Sequence, residues 1–410
     1  MVTILFEFGL MDKLYIKQYV AKVLPDVIRH RRHLHQYPEL SFQEFNTSAY
    51  IKEQLKAMEL TFEEVATTGI LVCIEGYAGV SDQVVIFRAD MDALPINEEN
   101  DVTYRSQNEG VMHACGHDFH TANLLGVAQI LKSLQSQFSG TCVLLFQPAE
   151  EKIPGGAVAV LRSGKLNFPD KEVLAMIGLH VSPRLNSGVI GLRAGSFMAS
   201  SDEFYLRIIG RGGHGAEPHL AIDPVIIGAQ LLTALQQIVS RTANPSVPSV
   251  LSFGKVIANG AANVIPAEIY MEGTFRTFDE DWRERALVQI EKVIRELPET
   301  LGAKVELEVR RGYPFLVNNF KLAQQLKSVF LDYVGESHFQ EVERWMAAED
   351  FAYYTHQFPS VFYLIGIANV DKHRCSALHT STFDVDEESF HHAMGSMLYA
   401  GLDLLGAIRK

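Results

Sequence analysis

Short apolar runs alternate with stretches of helical periodicity along most of the chain. Residues 11–34 put Leu14, Ile16, Tyr19, Val20, Val23 and Ile28 on the spacing of one helical face. Residues 47–58 predict a second helix and 121–134 a third. Between and after them stand β-rich runs at 70–74, 84–87, 143–146, 176–179 and 361–365. Strands that are apolar throughout, rather than alternately, belong to a sheet covered on both faces. The pattern therefore predicts an α/β fold with a mixed, largely parallel sheet flanked by helices.

From about residue 200 the pattern changes. Strands are predicted at 203–209, 250–257, 268–277 and 305–309, and helices at 223–241 and 281–297. Pro224 falls where a helix N-terminus accepts it. The order β-α-β-β-α-β is that of a ferredoxin-like unit. The α/β pattern resumes afterwards. We therefore expect a discontinuous domain of 11–199 and 312–410 with an inserted domain at 200–311.

Polar residues of one chemical kind gather at the ends of the strands. Asp90 and Asp92 follow 84–87, Glu150 and Glu151 follow 143–146, and His180 follows 176–179. Ligands of open α/β sheets bind outside the carboxyl ends of the strands. The segment 112–120 adds Cys115 with His113, His117 and His120. A thiolate and an imidazole two residues apart can grip one cation from a turn, and they suit zinc or a similar metal. Each residue alone has a plain alternative: a loop thiol, a solvated carboxylate pair, a core histidine at 180, a loop histidine at 379. Taken together, Cys115, His117, Glu151, His180 and His379 make a set suited to two metals. Adjacent carboxylates repel unless cations offset them. One can bind metal while its neighbour, Glu150, serves as a base.

The formal charge of −13 excludes a basic footprint for nucleic acid or an anionic membrane. With 47% hydrophobic residues over 410 positions, the chain can build a substantial core. Cys73, Cys115, Cys142 and Cys375 are scattered and form no disulfide framework, which fits a reducing cytoplasm. Cys73 and Cys142 lie in apolar runs and are expected in the core. Residues 1–10 are apolar but short, carry Glu7 and lack a basic n-region, so they read as an extension ahead of Met11. His30, Arg31, Arg32, His33 and His35 read as the solvated end of a helix, and 292–299 as an ordinary charged helix face.

Several segments together resemble one family. They are RHLHQYPEL at 32–40, RADMDALP at 88–95, MHACGHD at 112–118, QPAEE at 147–151, GGHGA at 212–216, NVIP at 263–266, GTFRT at 273–277 and EDF at 349–351. In order and number they are similar to the M20 metallopeptidase and amidohydrolase family, in its aminoacylase, hippurate-hydrolase and auxin-conjugate-hydrolase branch. The resemblance implies a metal-dependent exopeptidase-like catalytic domain with an inserted lid, through which two copies dimerise. It implies a hydrolase that cleaves N-acyl amino acids with metal-activated water. A dipeptidase or carboxypeptidase with the same site is the alternative, and a catalytically silent metal- or peptide-binding module is the alternative of another class. It makes Cys115, His117, Glu151, His180 and His379 the ligands of two divalent ions, zinc first, with manganese or cobalt as alternatives. Glu150 becomes the general base and Asp92 an acidic residue that orients the site. His214 becomes a holder of the oxyanion, and Asn263 and Arg276 contacts to substrate. Asp90 stands where many relatives outside this branch have a metal-binding histidine and is not counted as a ligand. His113 and His120 are left as supporting or surface residues. The loops 98–110 and 314–319 are expected to select the substrate.

Overall fold

The computed structural model describes residues 11–372, 374 and 376–409. The expected extension at 1–10 and Cys375 lie outside them. In chain order the first elements are α1 (Lys13–Gln36), α2 (Phe45–Ala57), β1 (Phe62–Val65), β2 (Gly69–Glu75), β3 (Gln83–Asp90) and α3 (His117–Ser133). They are followed by β4 (Thr141–Gln147), α4 (Gly156–Arg162), β5 (Glu172–Asn186), β6 (Ile190–Leu192) and β7 (Gly195–Met198). Next come β8 (Asp202–Ile209), β9 (Gly213–His214), α5 (Pro224–Gln237), β10 (Ser249–Ile257), β11 (Val264–Ile265), β12 (Glu268–Thr277), α6 (Glu280–Thr300) and β13 (Lys304–Arg311). The chain ends with β14 (Leu316–Asn318), α7 (Phe320–Val334), β15 (Phe339–Glu341), α8 (Ala352–Thr355), β16 (Ser360–Ala368) and α9 (Phe390–Leu404).

The chain divides into two compact units. The first comprises the residues up to Gly195, Val317–Glu343 and the residues from Tyr353 on. Its 8-stranded sheet has the order β1-β2-β4-β3-β5-β16-β6-β15. The four central strands β4, β3, β5 and β16 run parallel. Their apolar residues, among them Val85, Phe87, Leu144, Phe146, Ile177 and Tyr363, form one core with α1, α3, α7 and α9. Asp12 opens α1 by accepting the Tyr15 N–H through its side chain, as N-caps do.

The second unit comprises Ser196–Leu316 and Arg344–Ala352. Its sheet has the order β10-β12-β8-β13, antiparallel throughout, the order of a ferredoxin-like unit. Its core joins Phe204, Leu206, Met271 and Phe275 of the sheet to Leu231 of α5 and Ile290 of α6. The piece 344–352 belongs here because its backbone pairs with this unit. The Trp345 N–H donates to the Phe197 carbonyl at 2.9 Å, and the Ala199 N–H to that of Trp345 at 3.2 Å. The sequence pattern places this piece in the flanking domain of 11–199 and 312–410 instead.

Other details also depart from the sequence reading. Helix α3 begins at His117, four residues before the predicted start, because Gly116 takes φ +83° as its N-cap. His180 does not end a strand: β5 continues to Asn186 because β16 continues to pair with it beyond Leu364. Cys73 is exposed on β2, where it alternates with the buried Val72 and Ile74. His30, Arg31 and His35 are buried rather than solvated. Among the described residues no helix is long and apolar enough to cross a membrane.

Candidate metal centre

Strand ends and one helix start bring the candidate ligands of the first unit together. Asp90 closes β3 and Asp92 follows it. Glu150 and Glu151 follow β4, His180 lies in β5, and Cys115 and His117 flank the Gly116 cap of α3. His379 comes from a late loop, held by its own N–H to the Ala114 carbonyl at 2.9 Å, with φ +60°.

Cys115 is the hub. Its Sγ lies 3.4 Å from His180 Nε2 and 3.3 Å from His379 Nε2. Donor atoms close enough to share one ion form a buried trio of Cys115, His117 and His180, and a trio nearer the rim of Cys115, Glu151 and His379. A third grouping joins His117, Glu150 and Glu151. Glu151 Oε1 is 3.4 Å from His379 Nε2 and 4.0 Å from His117 Nε2.

The tautomers suit ligation. His117 Nδ1 lies 2.9 Å from the Asp92 carbonyl, which can only accept, so Nδ1 carries the proton. His180 Nδ1 donates in the same way to the Val181 carbonyl at 2.7 Å. In the neutral rings, Nε2 then carries a lone pair on the side of the thiol. Metal-bound histidines are oriented by this kind of outer partner. Among the described residues the buried His117 Nε2 and Glu151 Oε1 meet no hydrogen-bond partner, which is costly unless a cation sits between such atoms.

The electrostatics point the same way. Burial pushes the Cys115 thiol well above its ordinary value, and the Glu151 and Glu150 carboxylates push it further. Burial opposes charge on His117, yet Asp90 and the hydrogen bond with Asp92 raise it to about 10. Burial holds His180 well below its usual range, as a neutral imidazole. A thiol, a neutral imidazole and several carboxylates enclosed together form an acidic field that a divalent cation neutralises, turning the thiol into a thiolate.

Supporting residues hold these groups in place, and two of them, Ser41 and Glu44, are not among those singled out from sequence. Asp92 accepts the N–H groups of both Glu150 and Glu151 at 3.0 Å and the Ser41 hydroxyl at 2.6 Å. Glu44, fully buried, accepts the N–H of Ala149, which holds the positive φ of +54° before the two glutamates. His120 accepts the Val181 N–H at Nε2 and therefore donates from Nδ1 to Asp90 at 2.6 Å. Both its nitrogens are engaged, so His120 braces β5 beside His180. The second carboxylate oxygen of Asp90 takes Arg88 at 2.6 Å. His113 is also buried and supporting in position, but among the described residues no partner meets either ring nitrogen. Nothing local in the sequence marks Ser41 or Glu44.

The second unit holds the other three candidates. His214 pairs with Val264 across β9 and β11, and the Gly215 N–H donates to the Asn263 carbonyl at 2.8 Å, so His214 and Asn263 are neighbours. His214 Nδ1 accepts the Ala216 N–H at 3.1 Å, which leaves Nε2 to carry the proton of the exposed ring. Arg276 lies on β12 and donates to the Met346 carbonyl at 3.0 Å. Burial lowers its pKa, the nearby Glu203 carboxylate offsets this only in part, and no ion pair to it is formed among the described residues.

Comparison with known proteins gives the same direction. The chain is 44% identical over 309 residues to the N-acyl-L-amino acid amidohydrolase of Geobacillus stearothermophilus, covering 75% of this chain and 82% of that one. It is 40% identical over 339 residues to the N-acetyl-L-cysteine deacetylase of Bacillus subtilis, covering 82% of this chain and 79% of that one. The crystal structure of the YXEP protein of Bacillus subtilis, described as a dinuclear metal binding peptidase from the M20 family, superposes with a TM-score of 0.78 at 32% identity. That match covers 95% of this chain and 100% of the other. The family description that fits residues 86–400 spans every candidate ligand, and by that match the chain belongs to peptidase family M20/M25/M40.

Proposed function

We propose that the protein is a metal-dependent amidohydrolase that cleaves the amide bond of N-acyl amino acids. The observation that carries this reading is the buried Cys115 shared by two ligand trios directly beside Glu150. The similarity to relatives named for N-acyl amino acid hydrolysis and N-acetylcysteine deacetylation supports the substrate class.

Cys115, His117 and His180 would hold one ion, and Glu151, His379 and the shared Cys115 the other. When bound, such ions polarise a carbonyl and lower the pKa of water. Glu150, anchored through its N–H to Asp92, takes the proton of the attacking water and returns it to the leaving nitrogen. His214 donates from Nε2 to the developing oxyanion, and Asn263 beside it contacts the substrate. Arg276, which forms no ion pair with a carboxylate among the described residues, pairs with the α-carboxylate of the amino-acid half. Zinc is the metal we assign first, because the set includes a thiolate. We assign the second unit the roles of lid and dimer contact; it exposes Leu220, Val225 and Ile226. A thiolate ligand accords with a reducing, cytoplasmic setting.

The test is turnover of N-acetyl and N-benzoyl amino acids by metal-stripped protein reloaded with zinc, manganese or cobalt, with dipeptides alongside. Metal-dependent release of free amino acid from the acylated substrates is the expected result. Turnover of dipeptides alone would assign a dipeptidase instead. No activity with any ion, in protein that binds two, would leave a binding module.

A further inference from the structure

Within the basic run at the end of α1, His30, Arg31 and His35 are buried inside the first unit. Arg31 is 0% exposed. Its Nε donates to Asp118 Oδ2 at 2.8 Å and its Nη2 to Asp384 Oδ1 at 2.7 Å. These partners are 87 and 353 residues away along the chain. Asp118 directly follows His117 in the first turn of α3. Asp384 closes the loop that carries His379. One planar guanidinium thus ties together the two segments that supply a ligand to each trio.

The tie is reinforced from both sides. Tyr104 places its ring 4.8 Å from the Arg31 guanidinium and donates its hydroxyl to the other oxygen of Asp384 at 2.9 Å. One turn after Arg31, His35 lies between Asp118, 2.8 Å from Nδ1, and Glu98, 3.1 Å from Nε2. Glu98 also accepts the Ser106 N–H and the Asn100 side chain, and Asn100 donates again to the Phe383 carbonyl. Ser381, two residues past His379, exchanges hydrogen bonds with Glu99. A buried ion network seldom adds stability beyond what an apolar cluster of equal volume gives. An apolar cluster does not, however, fix the spacing of two backbone segments in a set direction, whereas a two-pronged guanidinium does.

We propose that Arg31 is a positioning residue that sets the distance between the His117 helix start and the His379 loop, and so the affinity of the rim trio for its ion. This rests on the metal reading given above. The variants are Arg31→Lys, which keeps the charge but not the fork, and Asp384→Asn, which leaves the Arg31–Asp118 pair intact. The readout is zinc affinity, measured by competition with a chromophoric chelator, beside the melting temperature of the metal-free protein. Wild-type protein should take up two ions. Each variant should keep the tighter one and bind the weaker one about 10–100-fold less tightly, the cost typical of lost outer partners. The metal-free melting temperature of Asp384→Asn should stay close to wild type. Unchanged affinity for both ions in both variants would overturn the proposal. Equal loss of both ions together with a large fall in melting temperature would overturn it too, as the mark of a purely structural network. If Arg31→Lys does not fold, Asp384→Asn decides alone. Uptake of fewer than two ions by the wild type would refute the metal reading itself.

Discussion

Gly116 lies between two proposed ligands and tests whether local backbone geometry builds the site. It takes φ +83°, and a Cβ there would overlap Val181 Cγ2 in β5. Gly116→Ala should therefore carry two costs. The left-handed conformation costs a non-glycine residue roughly 1–2 kcal/mol. Overpacking a buried contact costs about 1–3 kcal/mol more. Val181 cannot easily yield, because it is buried and its N–H is held by His120. The sum, about 2–5 kcal/mol, corresponds to a fall of roughly 4–20 °C in melting temperature for a domain of a few hundred residues. The measurement belongs on metal-free protein, since lost metal binding lowers the melting temperature by itself. Gly164→Ala is the control, with a similar φ of +70° and nothing within 4 Å of the new Cβ. It should cost the conformational part alone. If Gly116→Ala costs no more than Gly164→Ala, the overlap with Val181 does not constrain the cap and the reasoning fails.

Glu150→Gln should retain both ions by metal analysis and lose about 10²–10⁴-fold in turnover, the share of a general base; wild-type turnover would remove Glu150 from that role. Arg276→Met should lower kcat/KM for N-acyl amino acids by roughly 10–150-fold, the worth of a charge-assisted bond. Against the corresponding amino-acid amides, which lack the carboxylate, it should change little; equal losses on both would contradict the pairing. Burial lowers the pKa of His30 to about 4 from 6.5. Between these values the unfolded chain binds a proton that the folded one refuses. Stability present above pH 6.5 is therefore lost as the pH falls towards 4, by up to about 3 kcal/mol. His30→Gln should flatten that part of the stability–pH curve in urea titrations, and an unchanged slope would assign the loss to other groups.

Four of the proposed ligands were legible because each stands next to an apolar run that had to be a buried strand, or inside a dense thiol–imidazole cluster; His379, in a late loop, carries no such local mark. What surrounds them was not. Arg31 and His35 look solvated in a sequence window because their counter-charges, Asp118, Asp384 and Glu98, come from remote segments. Periodicity shows that α1 has an apolar face but not that α3 and the 378–384 loop close over its polar end. The length of β5 was hidden for a similar reason. The apolar run that predicts this strand stops at Leu179, yet pairing with β16 continues to Ser182 and resumes at Asn186 after an irregularity. Cys73 shows the opposite limit, since an apolar run does not reveal which residue of a pleated strand turns outward.

The chain passes between its two units at four points, after Gly195, Leu316, Glu343 and Ala352. Recombination that swaps only 196–316 for the corresponding stretch of a relative would transplant an incomplete module. The recipient would keep its own 344–352, whose backbone must still match the incoming Phe197 and Ala199 and whose Met346 carbonyl must still receive the incoming Arg276. Chimeras in this family should therefore tolerate exchange better when the nine-residue tether travels with the larger insert. Substrate preference, if it resides in that unit, is inherited in two pieces.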